Sequence, residues 1–189
     1  MIYFTSDWHF NHDREFIYRA RGFDSVERMN EEIVRRHNHV VTPEDTVIVL
    51  GDLCLGGSTP EKVQKNKELI EQMNGRLIVV CGNHDTENRR DMYCECKNIV
   101  SVVDAFNFNE QGYHFFCTHY PCFTANLEKD SLKQCTINLF GHTHQNSNFF
   151  YDVPFMYHVG VDSHNCFPVS FEEAIADMQK KVQECFDKV

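Results

Sequence analysis

Two apolar runs, Thr46-Val-Ile-Val-Leu50 and Arg76-Leu-Ile-Val-Val-Cys81, limit the folds open to this chain more than any other feature. Short β-branched stretches without polar alternation belong to strands buried on both faces, where neither side meets water. Between them Thr59-Pro60 opens a helix, with an N-cap and a proline at the first position, and Asn74-Gly75 stops it. Strand, helix, strand in this order implies a right-handed crossover and a parallel pair, so the fold class is α/β. Ile2 to Phe4 reads as a further strand. A helix starts after Ser25, buries Val26, Met29, Ile33 and Val40, and ends before Pro43. From Ile99 the apolar runs are shorter: Ile99 to Val103, Ala105 to Phe108, Tyr113 to Thr118, Thr136 to Phe140 and Met156 to Val161. These read as antiparallel or mixed strands, with a hairpin turn at Glu110-Gln111-Gly112. Ser170-Phe-Glu-Glu173 has the spacing of a capping box, and apolar residues at 171, 175, 178, 182 and 186 make the helix behind it a lid over one sheet. Without repeats or linkers, residues 1–189 are expected to form a single domain of two sheets covered by helices.

The chemistry collects where these strands end. Asp7-Trp8-His9, Gly51-Asp52, Gly82-Asn83-His84-Asp85, Thr118-His119 and Gly141-His142-Thr143-His144 each follow an apolar run. The carboxyl ends of strands are where α/β sheets bind ligands. Asp7 and His9, like His142 and His144, are two positions apart, so in extended backbone they face the same side. The donors are carboxylate, imidazole and carboxamide, with no thiolate. Such a set suits manganese, iron, cobalt, nickel or zinc in open sites better than a tetrahedral structural zinc. Asp7, His9, Asp52, Asn83, His119, His142 and His144 are too many for one ion that must also hold water and substrate. Two ions roughly 3.5–4 Å apart, bridged by Asp52, accommodate them.

Composition narrows the partners. Lys and Arg number 18 against 28 Asp and Glu, a net charge of −10 that disfavours a long nucleic-acid duplex. The nine cysteines are odd in number and contain no Cys-x-x-Cys pair, which indicates reduced thiols and a cytoplasmic location. The first residues reach an acid at Asp7 with no basic start, unlike a signal peptide, and no apolar run nears the roughly 20 residues of a membrane span.

The five blocks, in this order, resemble the signature of the calcineurin-like metallophosphoesterase superfamily: Asp-x-His, Gly-Asp, Gly-Asn-His-Asp/Glu, a lone His, and Gly-His-x-His. They run from Asp7 to His144 and look like those of its small single-domain bacterial or phage members. The resemblance implies a four-layer α-β-β-α sandwich of two mixed sheets. It also implies one metal held by Asp7, His9, Asp52 and His144, a second held by Asp52, Asn83, His119 and His142, and His84 as the catalytic imidazole. Two divalent ions are expected as cofactors, manganese first, with iron, zinc, cobalt or nickel fitting the same donors. The Gly51-Asp52-Leu53-Cys54-Leu55-Gly56 stretch lacks the second Asp of the protein-phosphatase branch, with Leu55 in its place. Asp85 is the local substitute expected to orient His84. Thr118 stands before the lone His, where glycine is usual.

The implied function is a dinuclear-metal-dependent phosphoester hydrolase in which His84 protonates the leaving oxygen. It is expected to be a phosphodiesterase acting on a small organic phosphate or nucleotide, and the alternatives are a phosphomonoesterase, a nucleotidase or a nuclease. A non-catalytic metal-binding scaffold is the alternative of another class. His12, Arg14 and Arg21 are candidate phosphate contacts, weighed against a solvated loop or a surface ion pair. A nuclease would use a basic groove around Arg14, Arg19 and Arg21. His37 reads as a satisfied interfacial histidine, His164 as a possible border of the site opening, and Phe149-Phe150-Tyr151 as hairpin packing.

Overall fold

The computed structural model describes residues 1–126, 131–144 and 153–186; the Phe149-Phe150-Tyr151 cluster lies outside them. The strands are β1 (Ile2–Thr5), β2 (Thr46–Val49), β3 (Arg76–Val80), β4 (Ile99–Val103), β5 (Phe106–Glu110), β6 (Tyr113–Cys117), β7 (Thr136–Phe140), β8 (Met156–His158) and β9 (Val169–Ser170). The helices are α1 (Glu15–Tyr18), α2 (Val26–Val40), α3 (Pro60–Ile70), α4 (Glu87–Cys94) and α5 (Phe171–Phe186). One sheet has the order β4-β3-β2-β1-β9 and the other β5-β6-β7-β8. Both are mixed, because β9 runs antiparallel to β1 and β5 antiparallel to β6, while the remaining pairs are parallel. Two mixed sheets flanked by helices is the architecture the sequence leads one to expect.

The two unbroken apolar runs are explained by two cores. Tyr3, Val47, Val49, Leu77 and Val79 point toward α2, α3 and α4, where they meet Met29, Ile33, Ile70 and Tyr93. Their neighbours Phe4, Ile48, Leu50 and Val80 point the other way, onto Phe115, Ile137, Leu139 and Tyr157 of the second sheet. The named side chains on both faces are therefore buried, and each contributes roughly 1.5–3 kcal/mol of transfer free energy. The buried face of α5 carries Phe171, Ala174, Ile175 and Met178 and joins this second core between the sheets. Its start is a reciprocal capping box: Ser170 N donates to Glu173 Oε2 at 2.9 Å, and Glu173 N donates to Ser170 Oγ at 3.2 Å.

Two departures from the sequence reading concern α4 and β4. The run Ile99–Val103 belongs to the first sheet, parallel to β3, and α4 makes the crossover. That helix has no amphipathic stripe to read, since only Met92 and Tyr93 in it are buried. The hairpin forms at the expected place, with Gln111 at φ +49° and Gly112 at φ +81°. Two consecutive left-handed residues make the two-residue turn whose twist matches that of the strands. The eight cysteines described are free thiols. No helix among the described residues is long and apolar enough to cross a membrane.

Candidate metal centre

The expected ligands come from both sheets. Asp7 and His9 follow β1, Asp52 follows β2, and Asn83 and His84 follow β3. His119 follows β6, and His142 and His144 follow β7. Asp7, His9, Asp52 and His119 are buried, His84, His142 and His144 half-buried, and Asn83 exposed. The backbone that aims these side chains is not extended. Asp7, His9, Asp52, His142 and His144 lie at φ +58°, +52°, +55°, +67° and +46°. Asp7 and His9 do converge, through left-handed turns and not through strand alternation, whereas His144 faces Asp7 and His142 lies against His119 and Tyr120. Non-glycine residues enter this region at a cost and cluster at functional sites. Loop pairing holds the turns: Asp7 N donates to Gly51 O, His9 N to Asp52 O and Phe10 N to Leu53 O, each at 3.0 Å.

Gly82 and Gly141 serve close approach. A Cβ on Gly82 would meet the carboxylate of Asp52, and one on Gly141 would meet Ser6 and the carboxylate of Asp7. Neither residue has a positive φ; Gly51 does, at +89°.

Three imidazoles are held in one manner. Nδ1 of His119 lies 2.7 Å from Leu50 O, Nδ1 of His144 lies 3.0 Å from Asp162 Oδ2, and Nδ1 of His9 lies 3.1 Å from His12 Nδ1. With Nδ1–H donating, each ring turns an Nε2 lone pair inward. His144 Nε2 is 3.7 Å from Asp7 Oδ1, and His119 Nε2 is 3.5 Å from Asp52 Oδ2. His9 Nε2 is 3.9 Å from Asp7 Oδ1 and 3.6 Å from Asp52 Oδ2. Asp7 Oδ1 and His9 Nε2 are buried and have no hydrogen-bond partner. Asn83 Oδ1 faces His119 Nε2 at 2.9 Å, so one acceptor opposes another. Lone pairs turned on carboxylates in a dry pocket are the donor set a cation satisfies. Two groups could each hold an ion: Asp7 with His9 and His144, and Asp7 with Asp52 and His119. His142 falls in neither group, and its ring lies 5.1 Å from that of His119 and 4.6 Å from that of Tyr120.

Burial raises the pKa of Asp7 despite the nearby His144 and His119, and burial together with His144 and Arg21 depresses that of His9. His144 moves up, because the hydrogen bond it donates to Asp162 and the charge of Asp7 outweigh desolvation. Burial, then His84, takes His12 down to about 4.

The expectation that Asp85 orients His84 is corrected by the contacts. Asp85 Oδ2 accepts from Asp52 N and Gly82 N at 2.8 Å, and Oδ1 accepts from Tyr93 Oη at 2.6 Å. Its carboxylate thus secures the loops under the site. His84 donates its backbone N–H to Asp52 Oδ1 at 2.9 Å, and its partly exposed ring brings Nε2 to 3.9 Å from Asp52 Oδ2.

Arg21 is a second correction. Its side chain is 2% exposed and makes a two-pronged bond to Asp162, with Nε to Oδ1 at 2.8 Å and Nη2 to Oδ2 at 2.9 Å. It also donates to the carbonyls of Asp7 and Trp8. It holds ligand-bearing loops and has no free face for a phosphate. Arg19 pairs with Glu15 and Asp24, so the groove expected around Arg14, Arg19 and Arg21 does not form. His12 stacks on His9 at 5.1 Å, and Arg14 is exposed at a cleft beside it. His37 is buried with Nε2 2.9 Å from Asn74 O, and Nε2 of His164 lies 2.8 Å from the carbonyl of His158.

Sequence reasoning missed Asp162, Tyr93 and a set of amides. Asn11 Nδ2 donates to Asn66 Oδ1 at 2.7 Å and Asn30 Nδ2 donates to Asn11 Oδ1 at 2.9 Å, tying the loop after β1 to α3 and α2. Asn30 and Asn66 carry a signal in the sequence, as polar residues on the buried stripes of their helices.

Comparison with known proteins agrees with this geometry. An uncharacterized protein of Methanocaldococcus jannaschii is 32% identical over 185 residues, 95% of this chain and 92% of its own length. The Gene 66 protein of Mycobacterium phage L5 is 27% identical over 161 residues, 75% of this chain and 76% of its own. The crystal structure of a protein of unknown function from Aquifex aeolicus superposes with a TM-score of 0.69 at 24% identity, covering 93% of this chain and 98% of that one, a likeness of fold. The profile of the calcineurin-like phosphoesterases matches residues 1–146, from the first strand through the last histidine block, and the chain belongs to that metal-dependent hydrolase family.

Proposed function

We propose that this chain is a dinuclear metal-dependent phosphodiesterase acting as a single domain over residues 1–189. The observation that carries the reading is the three imidazoles whose Nδ1 atoms are engaged while their Nε2 atoms face Asp7 and Asp52 at 3.5–3.9 Å. Asp7, His9 and His144 would hold one ion, and Asp52, Asn83 and His119 the other, with His142 completing the second and Asp52 shared between them. When bound, two such cations supply Lewis-acid polarisation of the phosphoryl group and a water nucleophile ionised near neutral pH. Manganese fits these oxygen and nitrogen donors, as do iron, zinc, cobalt and nickel.

The chain's own residues do the rest. The half-exposed His84 ring, anchored through its backbone N–H to Asp52, delivers a proton from Nε2 to the departing oxygen. Asp85 and Tyr93 keep the loops of Asp52 and Gly82 from drifting. The substrate is a small phosphodiester of the nucleotide kind, met in the cytoplasm.

The test is hydrolysis of bis-p-nitrophenyl phosphate and p-nitrophenyl phosphate by chelator-stripped protein reloaded with single metals. Faster diester turnover supports the phosphodiesterase. Monoester preference replaces it with a phosphatase or nucleotidase, and silence on both with metal bound replaces it with a scaffold. His84→Ala is expected to keep both metals and lose about 10²–10⁴-fold in turnover, whereas Asp52→Asn loses metal. Equal metal loss in the two variants contradicts this division of roles.

A further inference from the structure

An open cleft of about 620 Å³ adjoins the metal centre, between the segment after β1, the loop after β2 and α3. His12, Arg14, Leu55, Gly57, Lys62 and Lys65 are on its wall. In this acidic chain many cations are engaged: Arg19, Arg21, Arg28, Arg35, Arg36, Lys67, Arg90 and Lys180 all sit in ion pairs. Arg14, Lys62 and Lys65 form no ion pair among the described residues, and all three are exposed. Asp13 and Glu27 also border the cleft, leaving an excess of one positive charge where the whole molecule carries −10. Gly57 lies at φ +99°, and a Cβ there would stand 3.1 Å from Lys62 Cδ, so the lysine stem rests across the glycine. Three cations without an ion pair are thus gathered at one cleft, and Lys62 among them is partly positioned.

His12 connects this cleft to the reaction centre. Its ring is stacked on that of His9 and lies 6.3 Å from that of His84. If His84 protonates the leaving oxygen, the leaving side of the substrate passes over His12 into the cleft. An ammonium pair and a guanidinium fork are suited to a phosphate, and Leu55 offers apolar wall to whatever joins that phosphate to the scissile one. The volume is that of a small-ligand site and not of a duplex groove.

We infer that the cleft is a subsite for a second phosphate on the leaving-group side, so that the substrate class is a short single-stranded polyphosphodiester of the oligonucleotide kind. This rests on the phosphoester-hydrolase reading and adds Lys62 and Lys65 as specificity residues. Net charge had made nucleic acid the less favoured partner, but a local cluster can recognise what the whole chain repels.

The experiment compares kcat/KM for tetrathymidylate and for bis-p-nitrophenyl phosphate, in metal-reloaded wild type and in the double variant Lys62→Glu/Lys65→Glu. The expected result is a fall of about tenfold or more in the tetrathymidylate to bis-p-nitrophenyl phosphate ratio, carried by KM. The salt dependence of the tetrathymidylate KM should flatten as well, by about 0.7 in log–log slope per lost contact. A ratio within about twofold of wild type overturns the subsite. So does a wild type that cleaves the small diester and leaves tetrathymidylate untouched, and in both cases the hydrolase stands. If the wild type cleaves neither, the hydrolase reading fails and the subsite is judged by fluorescence anisotropy of labelled tetrathymidylate. Binding weakened about tenfold by the double variant supports it, and equal binding overturns it.

Discussion

Arg21 and Asp162 show how much of a metal centre is built from residues that never touch the metal. Asp162 takes two hydrogen bonds from Arg21 and one from His144, and Arg21 also holds the carbonyls of Asp7 and Trp8. Removing one member of a buried ion pair strands the other. Arg21→Met should therefore cost about 3–5 kcal/mol in urea unfolding, against about 0.5 kcal/mol for Arg19→Ala on the surface. Asp162→Ala frees the His144 ring and should weaken metal binding about 10–100-fold by calorimetric titration of stripped protein. An affinity within twofold of wild type would remove Asp162 from the design. Neither role was legible in the sequence, because Arg21 and Asp162 are 141 positions apart and nothing local marks the pair. The ligand candidates were legible, since each sits in a short block of metal-binding residue types. Asp85 was legible as important and misread in role: adjacency to His84 suggested contact, whereas its carboxylate turns back to the amides of Asp52 and Gly82.

The strands and helices that periodicity or capping announced were found, and those without such a signal were not. β2 and β3 are continuous β-branched runs, α2 is bounded by the Ser25 cap, and α5 by its capping box. α4 buries only two residues and β9 is two residues long, too little for either to leave a pattern. Assigning β4 to the first sheet needed α4 as its crossover, so missing one meant misplacing the other. The Ser170 box permits a direct check. Ser170→Ala removes the acceptor of Glu173 N and a donor to Glu173 Oε2, and should lower stability by about 1 kcal/mol in urea unfolding with the slope unchanged. Gly141→Ala is expected to do more, because its Cβ would collide with Ser6 and Asp7; loss of metal binding at retained secondary structure is the outcome to look for by circular dichroism.

Over the whole molecule, one share of the acid sensitivity comes from a buried histidine outside the candidate ligand set. His37 is buried between α2 and Asn74, and burial lowers its pKa from 6.5 to about 4. The unfolded chain thus binds a proton between those values that the folded chain refuses. The stability His37 contributes is fully present above pH 6.5 and is lost as pH falls toward 4. One such group gives a slope of about 1.4 kcal/mol per pH unit. His37→Gln, which can still donate to Asn74 O, should therefore lose about 2 kcal/mol less than wild type between pH 7 and pH 5 in paired urea titrations. An equal loss would assign the acid sensitivity elsewhere.

The ligand-bearing loops leave two different sheets: Asp7, His9 and Asp52 belong to one, and His119, His142 and His144 to the other. The centre is thus a seam, and whatever ion fills it is a clasp at the rim of two sheets that already share the core of Phe4, Ile48, Leu50 and Val80 with Phe115, Ile137 and Leu139. Stripping it should speed amide hydrogen exchange along the seam first, in Gly141, His142 and Thr118. The interior of α2, packed in the helix-side core, should keep its protection, so that exchange rates map the clasp without any substrate being known.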